Sequence, residues 1–468
     1  MSTTVLTFLD GPASLRLADA AALGTARFWP SQPAAAPERR CPLVEMMSVS
    51  RITVISSDGH VAARMGDYGP YLEARFRPDF DEFLVEHGRH GVATTDAANI
   101  ADRLDPEVAR AWEKDVAGPG RLDATWSPER RVAELDREGI TAEVLFQDFG
   151  TPFVMSSPTR AASLNLAEAS VEQVSAGYRA YNRWLADFRS VAPERWLGMA
   201  AISFHDVDAA VREVHQAKSL GFAGIAIPAV PDTDRHYQAE YDPIWAAMQE
   251  LGLVANIHVA IANRIPTYVG APTVTAGRAL VGADIFTGAR NLLPSLIFGG
   301  VLERFPRLTV VFTETHSDWI RGMLARMDHA YERSDLRRDI RDVLPMQPSE
   351  YWLRQCYIGS SIFSRAEIAA REQIGVGKMM IGMDFPHSEG AWRRGTLAYL
   401  QATFGAVGVP ETDARLMLAE NAALVYGFDL AALGQISGRN GLDLDQVLTP
   451  PAAQPGWRGD LNRPLIPA

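Results

Sequence analysis

The residues of this chain that could do chemistry gather at the ends of short apolar runs. "ITVISSDGH" (52–60) finishes in Asp58 and His60, and "LVANIHVA" (253–260) carries His258. "LTVVFTETH" (308–316) finishes in Glu314 and His316, and "KMMIGMDFPH" (378–387) in Asp384 and His387. "ITAEVLF" (140–146) is followed by Gln147 and Asp148, and His205 stands just past "WLGMAAIS" (196–203). On an extended strand, residues i and i+2 face the same side. Asp58 with His60, and Glu314 with His316, can therefore each offer two donors to one point. Oxygen and nitrogen donors without thiolate suit Zn, Mn, Fe or Co. Singly, each signal has an ordinary explanation: a hydrogen-bonded core histidine, or the Asp-Gly pair of a turn. Their recurrence at four strand ends is what carries weight.

The elements that must position them alternate along the chain. The five runs above, with "WLGMAAIS", "GFAGIAIP" (221–228) and "CYIGSS" (356–361), make eight strand candidates. Helical patterns lie between most of them. One spans 127–139, with a Ser at its start and Gly139 at its end; another spans 203–221, with Asp206 as cap; others span 240–252 and 317–334. Nearly continuous apolar strands are buried on both faces, as in a parallel sheet. Eight such strands alternating with helices predict an α/β fold, a (β/α)8 TIM barrel, whose catalytic groups stand at the C-terminal ends of the strands. The competitor, a doubly wound open sheet that binds nucleotides, lacks its glycine fingerprint and its phosphate loop here.

Around the barrel, taken as 49–430, the sequence suggests additions. Residues 1–48 read as an N-terminal appendage containing the loop-like "FWPSQPAAAPERRCP". Residues 61–126 form a long insertion after strand one, and 261–286 a long loop after strand five. Residues 431–468 read as a Pro-rich C-terminal arm. The two terminal arms suggest exchange between subunits of a homo-oligomer.

The chain has 468 residues, 47% hydrophobic, and a net charge of -12. That is enough for a sizeable core, and the negative balance argues against nucleic acid, whose phosphates need basic partners. Two cysteines, Cys41 and Cys356, make no disulfide framework, so a reducing, cytoplasmic setting is the expectation. No run of 18 apolar residues suggests a membrane span. The opening "MSTTVLTFLDGPASLRLADA" lacks the charged and apolar regions of a secretory signal.

Several stretches together resemble a known family: "SSDGHV", "GFAGIAIP", "YDPIWAAMQELGLVANIHV", "GGVLERFPRLTVVFTETHSDWI", "MMIGMDFPH" and "ENAALVYGF". They are similar to the amidohydrolase superfamily, in the amidohydrolase-related branch that includes aminocarboxymuconate-semialdehyde decarboxylase and resorcylate-type decarboxylases. The resemblance runs from about residue 52 to about residue 427. It implies a (β/α)8 barrel with a divalent metal at its mouth, held by Asp58, His60, His258 and Asp384, with Asp384 also shuttling the proton of metal-bound water in hydrolytic members. One departure stands out. Where decarboxylase members usually carry a catalytic histidine after strand six, this chain has Glu314, with His316 two residues on. The candidate metal ligands are thus Asp58, His60, His258, Glu314, His316 and Asp384, for one or two ions of Zn, Fe or Mn. Glu314 either bridges two ions or orients a histidine ligand.

The departure favours a metal-dependent hydrolase of an amide, ester or thioester. A metal lowers the pKa of bound water to roughly 7, and Asp384, His316 and His387 are the catalytic candidates for proton transfer and oxyanion stabilisation. His387 could equally be a structural hydrogen-bonder. The alternative is a non-oxidative decarboxylase using the same metal cage. Arg64 and Arg264 are either forks for a substrate anion or surface residues. Tyr68, Tyr71, Phe76, Phe80, Phe83 and Tyr268 suggest pocket walls for an apolar, aromatic or long acyl substrate, or else they pack the insertion. The intact ligand set argues against a barrel kept for structure alone.

Overall fold

The computed structural model describes residues 51–90, 106–148, 151–154, 169–228, 236–261, 274–333, 339–387, 390, 392 and 395–452. The appendage 1–48, Arg264, Tyr268 and the tail from 453 lie outside the described residues.

Eight parallel strands follow one another around a barrel: β1 Ile55–Val61, β2 Ala142–Gln147, β3 Trp196–Ala201, β4 Gly224–Ala226, β5 Val254–His258, β6 Val310–Thr313, β7 Cys356–Ser360 and β8 Met379–Ile381. This is the expected (β/α)8 barrel. All eight pairs of neighbours are not equal. β5 and β6 pair over four consecutive residues, Ala255↔Val310 to His258↔Thr313. β8 returns to β1 through a single bridge just past its end, Gly59↔Phe385, where His60 N donates to Phe385 O at 2.6 Å. Serine hydroxyls fill in along this seam: Ser57 Oγ donates to Ile381 O (2.8 Å), and Ser56 Oγ accepts from Met383 N (2.9 Å).

Strand alternation divides the apolar residues between two clusters. Ile55, Val144, Met199, Ala226, Val254, Val311 and Met380 share the cluster inside the barrel. Leu145, Ala200, Ile225, Ile257, Phe312 and Ile358 belong to the larger cluster that includes the surrounding helices. Burial of this kind contributes about 25 cal/mol per Å² of apolar surface.

Four of those helices, α1, α3, α4 and α6, lie within the spans the sequence predicts. In α1 (Pro128–Glu138), Ser127 accepts from Arg130 N, and Gly139 closes the helix at φ 71°. α2 spans Val171–Arg189. In α3 (Val207–Ser219), Asp206 accepts from Ala209 N. α4 is Asp242–Leu251, α5 Val274–Phe298, α6 Asp318–Glu332 and α7 Arg365–Ala369. Among the described residues no helix is long and apolar enough to cross a membrane.

Two expectations change. The loop expected over 261–286 is helix from Val274 onward: α5 continues through Gly277, Gly282 and Pro294 because its second half buries Ala289, Leu292, Leu293, Leu296 and Ile297. Tertiary burial outweighs the small helix penalties of glycine. The arm expected from 431 also begins as folded structure. Helix α9 (Leu430–Asn440) contributes Leu433 and Ile436 to the inner cluster beside Ala422 and Tyr426 of α8 (Asn421–Tyr426), and Leu442–Asp443 pairs antiparallel with Arg51–Ile52. The aromatic residues of the insertion mostly pack it down. Tyr68, Phe76 and Phe80 are buried, and Tyr68 meets Trp184 of α2 edge-on at 5.9 Å.

Candidate metal centre

β1 brings Asp58 and His60 inward by an irregularity. Its register against β2 shifts between Ser56 and Gly59, so three steps on β1 span two on β2. That extra residue is a β-bulge. Without it, inward alternation from Ile55 would continue through residues 57, 59 and 61. With it, Asp58 and His60 face the barrel axis. Gly59 faces outward, where a Cβ would meet Arg131 Nη2 at 2.9 Å and Glu143 Oε1 at 3.0 Å.

β5 presents His258 by ordinary alternation, two residues beyond the inward Asn256. β6 would by alternation point residue 314 outward, with Val310 and Phe312. Glu314 instead adopts φ 53°, and its Oε2 lies 3.6 Å from His258 Nε2. Asp384 follows β8 at φ 56°. Such left-handed backbone at non-glycine residues costs of order 1–3 kcal/mol each, and such strain clusters at functional sites.

The donors converge. Asp58 Oδ1 lies 3.4 Å from His60 Nε2 and 3.3 Å from His258 Nε2, and Asp384 Oδ1 lies 3.4 Å from His60 Nε2. Asp58, His60, His258 and Glu314 form one set whose ligand atoms lie within 4.8 Å of one another; His60, Glu314, Asp384 and His387 form a second. The imidazoles are oriented as metal ligands are. His60 Nδ1 bonds Gln147 O at 3.0 Å and His258 Nδ1 bonds Val259 O at 2.7 Å. A carbonyl at Nδ1 fixes the proton there and leaves the Nε2 lone pair for a metal. His60 Nε2 and Asp384 Oδ2 are buried without a hydrogen-bond partner among the described residues. Buried polar atoms are ordinarily paired, so these fit a bound cation.

The electrostatics carry the same message. Burial opposes ionisation of Asp58, yet His258 and His60 hold its carboxyl far below the usual carboxylate range. His60 is pushed up to about 10: burial and the charge of His387 oppose protonation, and the nearby carboxylates of Asp384 and Asp58, each 3.4 Å from its Nε2, outweigh them. Burial and the charges of Asp384 and Asp58 push Glu314 well up. Three carboxylates share a small buried space, and the nearby imidazoles only partly offset their mutual repulsion. A divalent cation reverses that balance.

Not every expected residue joins. His316 belongs to neither set. Its φ of 55° turns it off the line of Glu314; its Nδ1 faces Glu367 Oε2 at 3.9 Å, and its ring meets Phe286 at 4.9 Å. His205 bonds Ser203 Oγ at 2.9 Å. Arg64 lies exposed over Trp126 at 4.7 Å. His387 does join: Nδ1 lies 2.8 Å from Asp384 Oδ1 and Nε2 bonds Asp148 Oδ1 at 3.3 Å. Burial opposes its protonation, but Asp384 and Asp148 together raise it well above the ordinary histidine value.

Sequence reasoning assigned no role to Asp148, and it missed Ser361, whose Oγ donates to Asp58 Oδ2. The doublet "GSS" closing β7 was the available signal. It also missed a fully buried pair behind β1. Arg131 of α1 bonds Glu143 of β2 at 2.8 and 2.9 Å and His60 O at 3.2 Å. Removing one partner of such a pair costs about 3–5 kcal/mol.

Carboxylate and imidazole donors converge at the mouth of this barrel in an arrangement that could hold a metal ion. The chain matches the amidohydrolase family profile over residues 144–428, more than half its length, and belongs to that family. It is 24% identical over 319 residues to the 2-amino-3-carboxymuconate-6-semialdehyde decarboxylase of Dictyostelium discoideum, covering 65% of this chain and 77% of that protein. It is 23% identical to the gamma-resorcylate decarboxylase of Rhodococcus jostii, over 64% of this chain and 87% of that protein. Among solved structures, the 5-carboxyvanillate decarboxylase of Novosphingobium aromaticivorans shares the fold at a TM-score of 0.55 and 18% identity, covering 81% of this chain and 97% of that one. It was crystallised with manganese and 4-hydroxy-3-methoxy-5-nitrobenzoic acid. These findings overturn the expected hydrolase of amides, esters or thioesters: the relatives are decarboxylases. Glu314 after strand six was too slender a ground for excluding that chemistry.

Proposed function

We propose that this chain is a non-oxidative decarboxylase of aromatic or unsaturated carboxylic acids, working with one divalent metal ion. Asp58, His60, His258 and Asp384 would hold the ion, with Glu314 beside them. The observation that carries the reading is the pair of histidines whose Nδ1 atoms are bonded to backbone carbonyls and whose Nε2 atoms face shared carboxylates. One ion is favoured over two because His60 belongs to both donor sets and has one free nitrogen. Manganese is the first candidate, as in the carboxyvanillate enzyme.

A divalent ion would bind the substrate carboxylate and draw electron density from the carbon that bears it. The chain's own residues would manage the proton. His387, whose protonation Asp384 and Asp148 favour, carries that proton on Nδ1, which lies 2.8 Å from Asp384 Oδ1. Asp384 relays it to the carbon bearing the carboxylate. The bond from that carbon to the carboxylate then breaks, its electron pair stays with the carbon, and CO2 leaves. One proton is consumed for each CO2 released. His387 is refilled through Asp148.

The test is CO2 release from gamma-resorcylate, 5-carboxyvanillate and related hydroxybenzoates by protein loaded with Mn2+. Release that stops on chelation and returns with Mn2+ is expected, with one deuterium from D2O at the vacated carbon. Folded, metal-replete protein that liberates CO2 from none of them would remove the reading.

A further inference from the structure

We infer that Arg131 is a positioning residue for the metal centre, acting through the seam where the barrel closes. The inference rests on the metal site proposed above. Three of the four proposed ligands, Asp58, His60 and Asp384, stand on this seam. It is also the least regular junction of the sheet, with a bulge on β1 and one bridge to the end of β8. Ligands on a regular ladder are placed by the ladder; ligands on this seam need another brace.

Arg131 touches both sides of the seam from outside, at His60 and at Phe385. Its Nε and Nη2 form a fork with both oxygens of Glu143, which fixes the guanidinium plane on β2. Its Nη1 donates to the carbonyl of His60, at 3.2 Å. Its guanidinium lies 4.1 Å from the centre of the Phe385 ring, next to Asp384. Phe385 O in turn accepts from His60 N, and Asp58 O accepts from Asp384 N at 3.0 Å. One planar cation thus links the β1 bulge, β2 and the residue following Asp384.

The glycine of "DGH" belongs to the same device. A Cβ at residue 59 would meet Arg131 and Glu143 at 2.9 and 3.0 Å. The outward side of the bulge is therefore occupied by the ion pair, and the two flanking side chains face the metal. Both Arg131 and Glu143 are completely buried. A buried pair of this kind is poor evidence for stability, because apolar residues often replace it without loss. The geometry points instead to spacing: Arg131 sets the distance between the Asp58–His60 donors and Asp384. Lysine cannot do this. It keeps the charge but has no planar fork to hold Glu143, the carbonyl and the ring at once.

Two variants test the assignment. The double change Arg131→Met with Glu143→Leu removes both charges together and leaves none unpaired. Arg131→Lys keeps a buried cation. Mn2+ binding is measured by calorimetry on metal-free full-length protein, with circular dichroism and Tm recorded for each variant. Folded variants are expected to bind Mn2+ about 10- to 100-fold more weakly, the usual effect of losing support behind a metal ligand. Either variant, folded and binding Mn2+ with the wild-type Kd, overturns the assignment; if the double variant does not fold, Arg131→Lys decides. Wild-type protein that takes up no divalent ion would instead defeat the proposed metal site itself. A purely structural role would lower Tm and leave the Mn2+ affinity of the folded protein unchanged.

Discussion

The ends of β6 and β8 carry the same chemistry in sequence: a carboxylate, then a histidine two or three residues later. They meet different fates. After β8, Asp384 faces the donors and a turn, with His387 N bonded to Asp384 O at 2.9 Å, folds the imidazole back onto the carboxylate. After β6, both Glu314 and His316 adopt left-handed backbone, at φ 53° and 55°. Glu314 turns in toward His258 and His316 turns away to Glu367 and Phe286. The i,i+2 argument holds only while the chain stays extended. At β6 the strand ends at Thr313, one residue before the pair begins.

Four experiments would break or sharpen this contrast. The largest effect belongs to Asp384→Asn, which removes the proposed ligand and the proposed proton relay together. CO2 release should fall at least about 10³-fold, with weaker Mn2+ binding by calorimetry. A variant retaining a tenth of the activity would take Asp384 out of the chemistry. Next is His387→Asn, for which kcat should fall about 10²- to 10³-fold while one Mn2+ per chain is retained. Loss of the metal instead would make His387 a ligand rather than a proton carrier.

A smaller effect is expected from pH. His60 is raised to about 10 in the folded, metal-free chain, from an ordinary value of 6.5. Between those limits the folded state binds the extra proton, so its stability is greatest below about pH 6.5 and declines as pH rises toward about 10. Ligation needs that proton gone, so apparent Mn2+ affinity should rise over the same window and binding should release protons. Calorimetry in buffers of different ionisation enthalpy reads the release; affinity that falls with pH would contradict it. The smallest effect is expected from His316→Ala. With its nitrogen facing Glu367, it should change activity by less than about tenfold, below the range of general acid–base catalysis, and leave metal content alone. A loss as large as that of His387→Asn would erase the distinction between the two strand ends.

Much of this protein was legible before its fold was known. Alternating apolar strands and capped helices, with Ser127, Gly139 and Asp206 in their expected places, specified the barrel, because local hydrogen bonding and burial on both faces leave their pattern in the chain. The donors at strand ends followed from that pattern: Asp58, His60, His258, Glu314, Asp384 and His387 do come together. The choice of chemistry did not follow, since one donor set serves hydrolysis and decarboxylation alike.

Other features were decided only in three dimensions. The sequence shows "DGH" but not the bulge that turns both flanking side chains inward, because a bulge is a relation between two strands' registers. Arg131 and Glu143 are 12 residues apart and look like surface charges; they become a buried brace only when α1 packs on β1 and β2. Ser361 reaches Asp58 across 303 positions of chain. His316 and His387 are equivalent as residue types, and their separation depends on backbone angles set by the packing past each strand. What the sequence by itself determined is which elements form and which donors they carry. Where each donor points was left to contacts between distant segments, since direction depends on the partner that each side chain finds.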